Sequence, residues 1–221
     1  DELGVELTAD YTRTYVDVDS PLLPNYKLQA HQDEGVAWLR TAWINGHPGC
    51  LLADDMGLGK TLQALTHLAW VKEQMNQKQC KQRPFLIVAP AGLLKNWVEE
   101  IQKFFPPGTF GLLFSAYGSS FSRMSHGDRV KQLKQAGIVT TTYESLSQKI
   151  RCFVALEWSV VVFDETQKIK NPKSKMTDMA KSLKAEFTIC MTGTPVENSL
   201  SDLWCIVDTA WPGCFGTLRQ F

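Results

Sequence analysis

The chain has 221 residues, 44% of them hydrophobic, and a formal net charge of zero. That suffices for a folded core in one large or two small domains, while no stretch approaches the roughly 20 consecutive apolar residues of a membrane span, so no membrane partner is expected. The zero conceals an asymmetry, because residues 1–58 carry ten acids against three bases and residues 59–221 thirteen acids against twenty. A basic remainder of that kind, with Lys168, Lys170, Lys173 and Lys175 close together, leaves a nucleic-acid path and a plain solvated face both open.

The six cysteines form no C-x-x-C pair and no cluster with histidine, so a zinc site is not expected. Cys50 and Cys190 sit inside apolar runs and read as buried, reduced thiols of an intracellular protein, cytoplasmic or nuclear. The chain starts Asp1-Glu2-Leu3-Gly4 with neither methionine nor an apolar signal segment, and reads as a piece of something longer.

In chain order, residues 1–25 are acidic, contain Pro21 and Pro24, and read as a leader or a short appended strand pair. A helical stripe over 28–44 ends at Asn45-Gly46 with Pro48 beyond. A short apolar strand at 50–53 feeds a Gly-rich turn and a helix over 60–77. A buried strand at 85–90 is followed by a helix over 93–104 with Leu94, Trp97, Val98 and Ile101 on one side. Next come a strand at 110–115, a Ser-rich surface loop at 118–127, a helix over 128–136 and a strand at 137–142. The apolar run 160–163 reads as a strand buried on both faces. Residues 174–185 place Met176, Met179, Ala180 and Leu183 at helical spacing, 187–191 is a further strand, and 200–210 a last helix. Strand–helix alternation throughout predicts an α/β fold, a three-layer, doubly wound, mostly parallel sheet.

Two motifs carry chemistry. Residues 53–61 read A-D-D-M-G-L-G-K-T, the layout of a phosphate-binding loop. Asp55, Met56, Gly57, Leu58 and Gly59 would wrap phosphates with backbone N–H groups, at the positive end of the following helix. Lys60 would reach the β/γ-phosphates of ATP and the Thr61 hydroxyl would hold Mg²⁺. Asp54 occupies the position where the usual G-x-x-x-x-G-K-[ST] pattern has its first glycine. Far downstream, Asp164 and Glu165 end the buried apolar run, at the strand end where open α/β sheets bind ligands. Asp164 suits the Mg²⁺ shell and Glu165 the base that activates water. Together these motifs predict a P-loop NTPase. Thr192, Gly193 and Thr194, just past another buried strand, suit a γ-phosphate sensor, and the Gln32 amide suits the adenine edge.

Taken in order, L-Q-A-H-Q-D-E-G-V-A-W-L (28–39), D-D-M-G-L-G-K-T (54–61), L-I-V-A-P-A-G-L-L-K-N-W (86–97), T-T-Y-E-S-L (141–146), V-V-F-D-E-T-Q-K-I-K-N-P (161–172) and M-T-G-T-P-V-E-N-S-L-S-D-L-W (191–204) resemble the first ATPase lobe of helicase superfamily 2, in its SWI/SNF-type branch of double-stranded-DNA translocases. The resemblance implies a RecA-like ATP-binding lobe over 26–221. It also implies a second lobe, outside this sequence, that supplies arginine fingers. Such lobes carry DNA across strand-end loops, here Pro90, Lys95 and Asn96 at one and Thr141, Thr142 and Tyr143 at another. Departures from the family pattern are Thr166-Gln167 after the carboxylates, which leaves Gln167 in the coupling position, and Gln29-Ala30 ahead of Gln32. An RNA helicase of the same superfamily and a nucleotide-gated interaction module remain as alternatives.

Overall fold

The computed structural model describes residues 12–194 and 199–221. Six strands, β1 (Gly49–Leu52), β2 (Phe85–Val88), β3 (Leu113–Ser115), β4 (Ile138–Thr141), β5 (Glu157–Asp164) and β6 (Lys184–Met191), form one sheet in the order β1-β6-β5-β2-β4-β3. Every pairing is parallel. The helices are α1 (Ala30–Ile44), α2 (Lys60–Asn76), α3 (Ala91–Phe104), α4 (Gly118–Arg123), α5 (His126–Gln135), α6 (Tyr143–Gln148), α7 (Ile150–Phe153), α8 (Lys175–Ser182) and α9 (Leu200–Ala210). Among the described residues no helix is long and apolar enough to cross a membrane.

The apolar runs are continuous because each strand feeds two cores in alternation. Along β5, Val160 and Val162 pack with Leu65, Leu68 and Trp97 of α2 and α3, whereas Val161 and Phe163 pack with Leu146, Phe153 and Ile206 of α6, α7 and α9. The same parity turns Asp164, at the end of β5, toward the α2–α3 face. Cys50 and Cys190 are buried thiols within the sheet.

Several expected elements differ. The Ser-rich stretch at 118–127 is largely helical: Phe121 buries against Phe114 and Phe153, and the Arg129 guanidinium bonds the Phe121 and Ser122 carbonyls at the end of α4. The next helix begins earlier than expected, with Ser125 accepting from the Asp128 N–H as its cap. Helices α6 and α7 were not anticipated; each is too short to show a periodic stripe. The helix expected over 174–185 stops at Ser182, because Lys184 and Ala185 pair with Glu157 and Trp158 as β6. Arg83 then bridges Glu157 and Glu186 across those strands. Residues 12–23 form neither helix nor strand; Arg13 lies over the Trp43 ring and bonds the Glu186 carbonyl. The rest of the expected leader, residues 1–11, lies outside the described residues.

Candidate functional site

The phosphate-loop sequence follows β1 directly. Gly57 and Gly59 stand at φ of +87° and +77°, the left-handed region that a Cβ disfavours, and Gly59 caps α2 in that conformation. Asp54 needs no such freedom, since among the described non-glycine residues only Lys78 and Glu165 have positive φ. Its carboxylate instead accepts from Gln63 Nε2 at 2.9 Å on the first turns of α2, which accounts for a non-glycine residue there. Lys60 Nζ donates to the Asp54 and Asp55 carbonyls at 2.5 and 2.9 Å. Met56, 78% exposed, stands at the tip of the loop.

The carboxylates lie across a cleft of about 290 Å³ that also takes in Lys60, Thr61 and Gly193. Asp164 is 8% exposed. Its Oδ2 accepts from Trp97 Nε1 at 2.9 Å and its Oδ1 from the Glu165 N–H at 3.0 Å. Burial pushes its carboxyl above the usual carboxylate range, while the Trp97 hydrogen bond and the Lys60 charge pull it back. Glu165 leaves the strand in a left-handed conformation, φ +55° and ψ +57°. For a residue with a side chain this conformation costs about 1–2 kcal/mol, and a fixed environment must hold it. That hold is visible: Gln167 Nε2 donates to Glu165 Oε2 at 2.5 Å, Thr192 Oγ1 donates to Gln167 Oε1 at 3.2 Å, and the Thr194 N–H donates to Thr192 Oγ1 at 3.0 Å. Thr192 and Thr194 are thus linked to the Glu165 carboxylate through Gln167. At Gly193 an added Cβ would come within 2.7 Å of Met56 Cγ, so a glycine there lets the β6 loop close on the phosphate loop.

Gln32 is buried, its Oε1 accepting from the Gln29 N–H at 3.0 Å and its Nε2 facing the Leu58 carbonyl at 3.3 Å. It braces the loop and caps α1 at once.

The sequence profile described as SNF2-related domain matches residues 31–221. This chain belongs to the SNF2 family. It is 40% identical to the Zorya protein ZorD of Escherichia coli over 219 residues, covering 90% of this chain and 20% of that protein. It is 36% identical to the putative ATP-dependent helicase/translocase YwqA of Bacillus subtilis, covering 90% of this chain and 21% of that one. The chain therefore spans about a fifth of the length of these curated relatives. Among solved structures, the Sulfolobus solfataricus SWI2/SNF2 ATPase core in complex with dsDNA superposes with a TM-score of 0.74 at 34% identity, covering 94% of this chain and 40% of that one. The fold is the RecA-like ATPase lobe of that family.

In this SNF2 lobe the expected DNA-side residues divide. Lys95, its side chain 83% exposed and ion-paired with Glu99 at 3.1 Å, and Asn96 are open to solvent near the start of α3, for which Pro90 is the N-cap. The other loop differs from expectation, because its side chains are turned inward. Thr141 Oγ1 donates to the Ala116 carbonyl, Thr142 Oγ1 caps α6 by accepting from the Ser145 N–H, and Tyr143, 2% exposed, donates its hydroxyl to the Asp164 carbonyl at 2.7 Å. Of these three side chains only the Thr142 hydroxyl, which accepts as a cap, keeps a proton to donate, and the rest of what could meet a phosphate there is backbone. The sequence reading also missed two groups of the SNF2 cleft, Trp97 and Glu100, which join Leu93 and Asn96 on one face of α3. Their i, i+3, i+4, i+7 spacing was visible, but the apolar stripe through Leu94 and Trp97 claimed the helix for the core. Burial raises the Glu100 carboxyl, Lys103 lowers it and Asp164 raises it further.

Proposed function

We propose that the chain is the nucleotide-binding lobe of an ATPase that couples hydrolysis of Mg-ATP to movement along duplex DNA. The observation that carries this reading is the meeting, in one cleft, of a lysine that opens α2 behind a glycine loop with two consecutive carboxylates from a buried strand.

The donor set suits a hard cation: the Thr61 hydroxyl and the Asp164 carboxylate offer only oxygen, and each Asp164 oxygen has one in-chain donor with lone-pair capacity left over. Bound there, Mg²⁺ would neutralise charge on the β- and γ-phosphate oxygens. Lys60, on neutral carbonyls here, would exchange them for phosphate oxygens, which make stronger charge-assisted hydrogen bonds. Glu165 would accept the proton of the attacking water, with Gln167 fixing its carboxylate and Thr192 tying that amide to the end of β6. A shift of the β6 loop would therefore displace the base. The Gln32 amide would have to exchange its bond to the Gln29 N–H or to the Leu58 carbonyl to meet an adenine edge.

Lys95, Asn96 and the backbone after β2 and β4 would contact DNA phosphates without reading sequence, and Lys168, Lys173 and Lys175 are further exposed cationic side chains of the lobe. The dsDNA in the Sulfolobus complex supports this choice of polymer. A second RecA-like lobe would complete the site. The test is ATP turnover by the intact protein with duplex DNA or RNA added. Stimulation by duplex DNA is expected; stimulation by RNA alone, or by neither, would overturn the reading.

A further inference from the structure

Asp164 sits where the sheet stops supporting its own strand. On the β2 side the ladder ends at Val88 opposite Phe163, one residue short of Asp164. On the β6 side it ends at Asp164 opposite Met191, and the next residue turns into the left-handed region. A carboxylate at such a strand end has little backbone to fix it.

Two aromatic side chains from opposite faces of the sheet supply what the ladder does not. From the α2–α3 core, Trp97 Nε1 donates to the carboxylate itself at 2.9 Å. From the other core, the Tyr143 hydroxyl donates to the backbone carbonyl of the same residue at 2.7 Å, and its ring stacks on Phe163 at 6.3 Å between centroids. Trp97 is 1% and Tyr143 2% exposed, so both hydrogen bonds lie in largely dry surroundings, where they are stronger than in water. Indole is a donor only, which leaves the carboxylate no alternative role in that contact. We propose that Trp97 and Tyr143 are positioning residues that hold Asp164 from two sides and thereby set the Mg²⁺ requirement of the nucleotide site.

This inference rests on the proposed nucleotide function, and the experiment separates the two. Affinity of the 221-residue chain for a fluorescent ATP analogue is measured in EDTA and across a Mg²⁺ series, for wild type, Trp97→Phe, Tyr143→Phe and Trp158→Phe. Trp158 lies on the same strand, is equally buried, and donates its indole N–H to the Phe153 carbonyl at 3.0 Å, away from the cleft. Losing a hydrogen bond to a charged group should raise the half-saturating Mg²⁺ concentration about tenfold in Trp97→Phe, and losing a neutral one about threefold in Tyr143→Phe. Affinity in EDTA should stay at the wild-type value in both, and Trp158→Phe should lower the melting temperature while leaving the Mg²⁺ series unmoved. An unchanged Mg²⁺ series in Trp97→Phe and Tyr143→Phe, or an equal shift in Trp158→Phe, would overturn the inference alone. Absence of Mg²⁺-dependent nucleotide binding in the wild type would instead overturn the function it rests on. Should Trp97→Phe fail to fold, Tyr143→Phe, which removes one oxygen atom, still decides the matter.

Discussion

Acid should loosen the seat of the phosphate-loop helix through one residue. His67 lies two turns into α2 and is completely buried between the rings of Trp70 and Phe187, at 5.9 and 5.5 Å. Among the described residues neither ring nitrogen has a hydrogen-bond partner. Burial first, then the charges of Arg40 and Arg13, lower its pKa from 6.5 to about 3. The unfolded chain therefore takes up this proton well before the folded one does. Stability is complete above the unfolded value, falls as the pH drops from 6.5 toward about 3, and levels off below it. One pKa unit is worth about 1.4 kcal/mol, so the drop from pH 7 to pH 4.5 should cost roughly 2.5 kcal/mol from this residue alone. Against the 5–15 kcal/mol or so that holds a typical domain, that loss is readily measured. Other groups titrate as well, and the raised carboxyls of Asp164 and Glu100 act in the opposite direction, so the comparison must be differential. His67→Leu keeps a similar volume and removes both orphan nitrogens, each of which costs about 1–3 kcal/mol when buried without a partner. Urea unfolding followed by circular dichroism at pH 7 and pH 4.5 should show the variant at least as stable as wild type at pH 7. It should also show an acid loss smaller by about 2–3 kcal/mol. Equal acid losses in the two proteins would refute the assignment of this proton to His67.

Three further outcomes are expected at the site. Lys60→Ala should weaken binding of a fluorescent ATP analogue by about tenfold or more, since it removes a charge-assisted contact, while the melting curve stays put because this lysine is not in the core; equal affinities would sink the phosphate-loop assignment. If the proposed function holds, Glu165→Gln in the intact protein should bind ATP normally but turn it over about 10²–10⁴ times more slowly, and near-normal phosphate release would exclude Glu165 as the base. Gly59→Ala meets two obstacles, a φ of +77° and a Cβ 2.3 Å from Gln32 Nε2. It should destabilise the lobe by about 1–2 kcal/mol and lower nucleotide affinity, and a fully stable, fully binding variant would show that Gln32 does not brace the loop.

The sequence alone was enough for the parallel strands, the glycine loop ahead of α2 and the carboxylate pair at a strand end. Parallel strands covered on both faces must be apolar at every position, so Val160–Phe163 and Phe85–Val88 announce themselves as unbroken runs. Gly57 and Gly59 are legible for a similarly local reason, because their backbone angles exclude most side chains. Tertiary structure decided what depends on distant partners. Trp97 and Asp164 are 67 positions apart, and only the packing of α3 against the end of β5 makes the indole a ligand of the carboxylate rather than one more core ring. Tyr143 and Thr141 look from the sequence like groups for solvent or phosphate; the ends of β4 and β5 turn their hydroxyls inward, onto carbonyls that the ladder leaves open. Lys184-Ala185-Glu186 has the composition of a helix, and the pairing of Lys184 with Glu157 and Ala185 with Trp158 makes it a strand. Local spacing records which face of an element is apolar. It carries no record of which element that face will meet.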